Sequence, residues 1–380
     1  MVWKVLFIIA GFLNGKWEGR FYMSAFVPPK VRVAIAGLGN CAGSLIEGIT
    51  YYRQNPGIEA GLLFPVLSGY SVNDVEIVAA FDVSALKVGQ PVQEAIYQAP
   101  NNFVRNQHVK VQNSVRVSRG PTLDGNPEHL ARFVPESTEK PVDVSGVLKE
   151  RQADVLVNLL PTGSIQATEF YANAAWEAGC AFINCIPTIL AQRKENQERF
   201  MARNLPLLGD DIKSQIGTTI LHRSLLHMLE SRGAKLVKSS QVNIGGNTDF
   251  ANFVYRAETK LVSKRKSLAR YVNGSTQSHV GHHYDPTKGP LKNAYIEIEA
   301  AVFGGSPVKM SVKLESDDKP NSAGSVIDLI RVAKGALDRK MGGFVPEVCA
   351  FYFKSPPEEM DDLQALSIIR SNWSEPVKVM

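Results

Sequence analysis

Residues 31–48 read VRVAIAGLGNCAGSLIEG. A β-branched apolar run, Val31–Ala36, stops at Gly37, and a helix-patterned segment, Ser44–Tyr52, follows within a turn. Gly37, Gly39 and Ala42 form a GxGxxA pattern between that strand and that helix. Each position has a physical task. Gly37 permits the tight turn, Gly39 lets a pyrophosphate approach the backbone, and Ala42 or Gly43 allows close helix–sheet packing. Asn40 and Cys41 stand at the helix start, where free N–H groups favour an anion. This grammar predicts a dinucleotide crevice lined by Gly37, Gly39, Asn40, Cys41 and Ala42.

A second strand, Val75–Phe81, ends at Asp82, the place of an acid that holds the ribose hydroxyls of NAD. Asp82 lies 45 residues beyond Gly37, against about 20 in the usual fingerprint. Residues 55–73 therefore read as an inserted loop. Further strands are expected at Val111–Val117, Asp154–Leu160, Ala181–Cys185 and Asn204–Leu208, with helices at Ala167–Ala178 and Ser214–Ser231. Repeated β-α-β units with near-continuous apolar strands predict a doubly wound parallel sheet.

The pattern changes after about residue 235. Lys235–Ile244, Ala294–Phe303 and Val308–Leu314 alternate, as antiparallel strands with one wet face do. A helix-like stretch runs to Arg270, and a Gly/His/Pro-rich loop to Pro290. Ser322–Lys340 returns to helix, and Phe344–Lys354 reads as strand. The expected architecture is a Rossmann-type sheet formed by 31–235 and 320–380. An inserted α+β domain for catalysis and oligomerisation spans 236–319, and residues 1–30 form an extension outside the core.

A chain of 380 residues, 44% apolar and 21% charged, has material for a large core. The net charge of +5 is mild, and the Lys264–Lys266 cluster is too short to predict nucleic-acid binding. Val5–Leu13 is too short to span a bilayer. Four scattered cysteines without metal spacing fit free thiols in a reducing cytoplasm. His222 and His227 read as core histidines. His279, His282 and His283 near Asp285 read as a polar loop, with a cation site left open.

Leu205–Thr219, LPLLGDDIKSQIGTT, reads as a strand running into a helix, with Asp210, Asp211, Lys213 and Ser214 at the join. In open α/β sheets ligands bind at such strand ends.

Several separated stretches together resemble the myo-inositol-1-phosphate synthase family, above all its prokaryotic branch. They are GLGNCAGSL, RGPTLDG (119–125), GDDIKSQIGTT, NIGGNTDF (243–250), PNSAG (320–324) and FYFKSPP (351–357). The resemblance runs from about residue 31 to 360. It implies an NAD-dependent, mostly tetrameric enzyme acting on D-glucose 6-phosphate. Its product is 1D-myo-inositol 3-phosphate, formed by C5 oxidation, enolisation, aldol closure and re-reduction. The resemblance assigns Lys260 and Lys354 to the C5 oxygen and enolisation, and Lys264 and Lys292 to the C1 oxygen and phosphate. It sets Asp211 and Asp249 beside the nicotinamide and the lysines, Asn247 on substrate or cofactor, and Ser214 and Gln215 on the substrate phosphate. Gln215 directly follows Ser214, where the eukaryotic pattern has an intervening glycine, which alters the phosphate contacts. Family members differ in their need for a divalent or monovalent cation. Two other readings are compatible with the fold: a homoserine-dehydrogenase-like oxidoreductase with net redox turnover, and a non-catalytic NAD-binding relative.

Overall fold

The computed structural model describes residues 30–256 and 277–374. The extension at 1–30 lies almost wholly outside the described residues, as do Lys260 and Lys264.

Six parallel strands form the first sheet: β1 (Val31–Ala36), β2 (Val75–Asp82), β3 (Ser118–Arg119), β4 (Val155–Asn158), β5 (Ala181–Asn184) and β6 (Leu207–Leu208). Their spatial order is β3-β2-β1-β4-β5-β6. Strand order reverses beside β1, and the crevice at such a switch point is where ligands bind. Every residue of β4 and β5 is buried, so these strands read as apolar runs rather than alternations.

Helices cover both faces. On one lie α1 (Asn40–Gln54) and the long α6 (Asp318–Asp338), whose Val326, Ile327, Ile330 and Val332 share a core with Val33, Ile35 and Val157. On the other lie α2 (Val144–Glu150), α3 (Ile165–Ala178) and α4 (Lys194–Met201), packing Leu148, Tyr171 and Phe200 against Ala34, Leu156 and Phe182. Truncating a buried residue such as Ile330 to Ala removes about 2–5 kcal/mol.

The inserted segment between α1 and β2 is a buttress. It forms a small hairpin, Val66–Leu67 with Tyr70–Ser71. The fully buried Arg331 of α6 donates to the carbonyls of Phe64, Pro65 and Tyr70 at 2.8, 3.1 and 3.3 Å.

The second sheet has four strands: β7 (Lys235–Gly245), β8 (Gln277–Tyr284), β9 (Lys292–Ala301) and β10 (Pro307–Ser316), in the order β8-β7-β9-β10. α5 (Thr218–Ser231) packs Leu226 and Leu229 on Ile296 and Ile298 of this sheet. Two short helices, α7 (Pro346–Tyr352) and α8 (Asp362–Trp373), close the chain against α6.

The structure corrects four sequence expectations. Residues 111–117 contribute only a bridge between Pro91 and Arg116, and the edge strand is the dipeptide that follows. Phe344–Lys354 is mainly helix: Pro346 sits in its first turn, where the missing N–H costs nothing. The histidine-rich stretch is strand β8, paired parallel with β7, so the second sheet is mixed. Gly43 faces not the sheet but Phe103, whose ring would lie 2.4 Å from a Cβ there.

Candidate active site

One cleft runs along the carboxyl ends of β1, β2, β4, β5 and β6 and continues to the second sheet. Gly37, Asp82, Leu160, Ile186, Asp211, Asn247, Lys292 and Lys354 all line it.

The β1 end is an open glycine turn leading into a helix start. Gly37 adopts φ +89°, and a Cβ there would meet the Leu159 carbonyl oxygen at 2.8 Å. Nothing stands within 4 Å of a Cβ position at Gly39, so a ligand can come close to its backbone. Gly39 is the N-cap of α1 and offers no side chain to the first-turn N–H groups. Open turn and uncapped helix start together fit a pyrophosphate. Asn40 and Cys41 line the same wall, while the Asn40 side-chain oxygen accepts from Asn102 N–H at 2.6 Å. Ala42 is wholly buried. Asp82 closes this end: Oδ2 accepts from Leu38 N–H at 2.9 Å, and Oδ1 from the N–H groups of Val83 and Ser84 at 2.8 and 2.9 Å.

The β6 end carries a buried lysine–carboxylate pair. Residues 210–213 run antiparallel to 352–355, joined by backbone hydrogen bonds from Asp210, Lys213, Lys354 and Ser355. Asp211 and Lys354 face each other across this ladder and line the cleft. Lys354 Nζ donates to Asp211 Oδ1 at 2.7 Å and to the Ile212 carbonyl at 2.6 Å. Both residues are largely buried, where a charge acts more strongly on a developing charge than it does in water. Asp211 holds φ +61°, a left-handed conformation that Asp tolerates better than most residues.

Asp210 points the other way. Its carboxylate accepts from Asn184 Nδ2 at 2.7 Å and from the N–H groups of Leu190, Ala191 and Gln192. Burial pushes its pKa up to about 6, against the pull of those donors. Asn184 Oδ1 in turn accepts from Asn158 Nδ2 at 2.9 Å. A buried polar chain thus fixes the ends of β4, β5 and β6, which form the cleft floor.

The opposite wall comes from the second sheet and α6. Lys292 Nζ donates to Asp318 Oδ1 at 2.5 Å, and Lys292 is 6% exposed. Lys319 Nζ lies 2.8 Å from Asp317 Oδ1. Asp249 Oδ1 accepts from Thr162 Oγ1 at 3.3 Å. Asn247 spends its oxygen on the N–H groups of Asp249 and Phe250 at 3.0 and 3.1 Å, capping the helical residues 248–256. α5 opens on this wall through Thr218 and Thr219, and its N-cap, Gly217, provides no side chain. Ser214 Oγ lies 3.1 Å from Ser322 Oγ.

Sequence reading and geometry part at Gln215. Its Nε2 donates to the Gly61 carbonyl at 2.7 Å, and the side chain lines a second cavity behind the Ser214–Ile220 wall. The structure does not bring it to the cleft. His222 is a satisfied core group, within hydrogen-bonding distance of Ser239 Oγ (2.6 Å) and Gln241 Oε1 (3.2 Å), whereas His227, expected in the core, is exposed on the outer side of α5 and lines the second cavity. His282 packs on Phe250 and Phe253, whereas His279 and His283 occupy the other face of β8. Among the described residues no group of three or more His, Cys, Asp or Glu side chains could hold a metal ion. The sequence reading missed Asp318 and Lys319, although Asp317-Asp318-Lys319 before PNSAG marks a helix start. It missed Thr218 and Thr219 because their role depends on where the helix begins.

Fold and cleft define a Rossmann-type α/β enzyme with a lysine–carboxylate cluster at the end of its crevice. A sequence profile for myo-inositol-1-phosphate synthase matches residues 217–319. Inositol-3-phosphate synthase of Corynebacterium glutamicum is 43% identical over 345 residues, covering 87% of this chain and 95% of that protein. The enzyme of the same name from Mycolicibacterium smegmatis is 42% identical, covering 88% and 95%. Among solved structures, Ari2 superposes with a TM-score of 0.76 at 33% identity, covering 90% of this chain and 98% of that one. The Caenorhabditis elegans inositol-3-phosphate synthase shares the fold, with a TM-score of 0.71 at 15% identity over 90% and 84% of the two chains. The chain belongs to the myo-inositol-1-phosphate synthase family.

Proposed function

We propose that the protein converts D-glucose 6-phosphate to 1D-myo-inositol 3-phosphate with NAD held in the crevice of Gly37, Gly39, Asn40, Cys41, Ala42 and Asp82. The observation that carries this reading is the buried Lys354–Asp211 pair, set in the same cleft as the glycine turn and Lys292. Bound NAD supplies a hydride acceptor and donor for C5, with no net redox change. The chain supplies the rest. Lys354 stabilises negative charge on the C5 oxygen, and Asp211 aims its ammonium. Lys260 serves the same oxygen and the enolisation; Lys264 and Lys292 serve the C1 oxygen and the phosphate. The uncapped start of α5, with Ser214, Thr218 and Thr219, receives the phosphate, since a helix N-terminus favours an anion. Asp249 stands on the nicotinamide side of the cleft, and Asn247 contacts substrate or cofactor. A divalent or monovalent cation is compatible with this scheme.

We assign the protein to the cytoplasm, where Cys180, Cys185 and Cys349 stay reduced and buried; among the described residues no helix is long and apolar enough to cross a membrane. The face of the second sheet not covered by α5 serves homotetramer assembly. It carries Tyr295, which is 39% exposed.

The test is incubation of the protein with glucose 6-phosphate and NAD⁺. Inositol phosphate should accumulate while absorbance at the NADH band stays flat. NADH rising in step with substrate loss would favour a homoserine-dehydrogenase-like oxidoreductase instead. Tight NAD binding with no product would indicate a non-catalytic relative.

A further inference from the structure

The middle residue of the glycine turn is gripped from both sides. Leu38 donates its N–H to Asp82 Oδ2 at 2.9 Å. Its carbonyl accepts from Lys87 Nζ at 2.8 Å and from Asn101 Nδ2 at 3.2 Å. Lys87 Nζ also donates to Asn101 Oδ1 at 3.1 Å and stands 3.7 Å from Asp82 Oδ2. The lysine is 4% exposed and lines the cleft. An ammonium is expensive to bury, and here it is buried against one carbonyl of the ligand-facing turn.

Two consequences follow. In a trans peptide the C=O of one residue and the N–H of the next point in opposite directions. An ammonium fixed on the Leu38 carbonyl therefore fixes the direction of the Gly39 N–H, at the position left open for a ligand. The second consequence is electrostatic. Asp82 accepts three backbone N–H groups, so most of its roughly four acceptor sites are committed within the protein. Lys87 offsets its negative charge close to where a pyrophosphate would sit.

We propose that Lys87 is a positioning residue for the dinucleotide: it presets the Gly37–Gly39 turn and compensates the Asp82 carboxylate. This rests on the NAD reading above. The experiment is titration of the full-length protein, stripped of bound nucleotide, with NAD⁺ by calorimetry, alongside steady-state kinetics. Lys87→Met should weaken NAD binding about tenfold or more, as loss of a hydrogen bond from a charged group does. KM for NAD should rise in parallel while kcat falls much less, and Lys87→Arg should recover most of the affinity. A folded Lys87→Met protein that binds NAD within twofold of the parent overturns the proposal. Failure of the parent itself to bind NAD overturns the cofactor reading instead. Should Lys87→Met not fold, Lys87→Gln keeps a donor at this position and removes the charge. An NAD affinity within twofold of the parent in that variant equally overturns the proposal, and a larger rise in Kd supports it.

Discussion

Two lysine–carboxylate pairs lie on either side of one short backbone ladder, and they do different work. In front, Lys354 and Asp211 face the cleft. Behind, Lys213 Nζ donates to Asp362 Oδ1 at 2.9 Å and to the Ala350 carbonyl at 2.7 Å, tying the segment after β6 to the last turn of α7 and the start of α8. Arg223 stands 3.5 Å from the same Asp362. Residues 211 and 213 are two apart, and similar chemistry is available to both. What separates them is their partners: Asp211 meets a lysine in the cleft that begins at the glycine turn, whereas Lys213 meets the cap region of a packing helix. Residue type alone therefore does not mark a catalytic lysine.

The sharpest way to break this contrast is to delete each ammonium. Lys354→Ala should lower product formation by a factor of about 10³ or more, because it removes charge stabilisation from a buried site, while NAD binding persists. Full activity in that variant would sink the assignment. Asp211→Asn should cost about 10²-fold in kcat, since the ammonium remains but is no longer aimed. Lys213→Met should act on stability instead, lowering it by about 1–3 kcal/mol as a buried donor and ion pair are lost, with kcat changed far less than in Lys354→Ala. Thermal melting and initial rates on the same preparations separate the two; equal rate losses in folded Lys213→Met and Lys354→Ala would erase the distinction.

The back pair also has a pH signature. Burial, followed in effect by the charge of Arg223, lowers the Lys213 pKa to about 8 against the pull of Asp362. The unfolded chain keeps its proton up to an ordinary lysine pKa of about 10.4. Between about pH 8 and 10 the unfolded state therefore binds more protons, so this residue makes stability rise with pH in that window. Comparing melting temperatures across that range, Lys213→Met should remove this component; an identical pH profile in parent and variant would refute it. The smallest effect is expected at Gln215, whose amide is spent on the Gly61 carbonyl. Gln215→Ala should change KM for glucose 6-phosphate by less than about threefold, the scale of one neutral hydrogen bond.

The parallel sheet was legible because strands buried on both faces leave unbroken apolar runs, as Val155–Asn158 does. Gly37, Gly39 and Asp82 were legible because a turn and a strand end constrain residue type locally. The helix at 346–352 has a strand-like sequence: a short segment apolar on all sides lacks the periodicity that tells helix from strand. Strand β8 has the composition of a loop, because Gly and His residues have no strong strand preference, and its pairing partner lies more than 30 residues away in the chain. The contacts of Lys213, Gln215 and Lys87 leave no mark in the sequence for a common reason. Each bonds to a backbone carbonyl far away in sequence, at Ala350, Gly61 and Leu38 respectively. Such partners leave no spacing signal.

The central claim, that the cleft oxidises and re-reduces one carbon without net redox, is tested most directly with glucose 6-phosphate deuterated at C5. With NAD⁺ present, the account predicts inositol phosphate that retains the deuterium on the corresponding ring carbon, and no accumulation of NADH. Deuterium appearing in released NADH, or product with the label washed out, would contradict it.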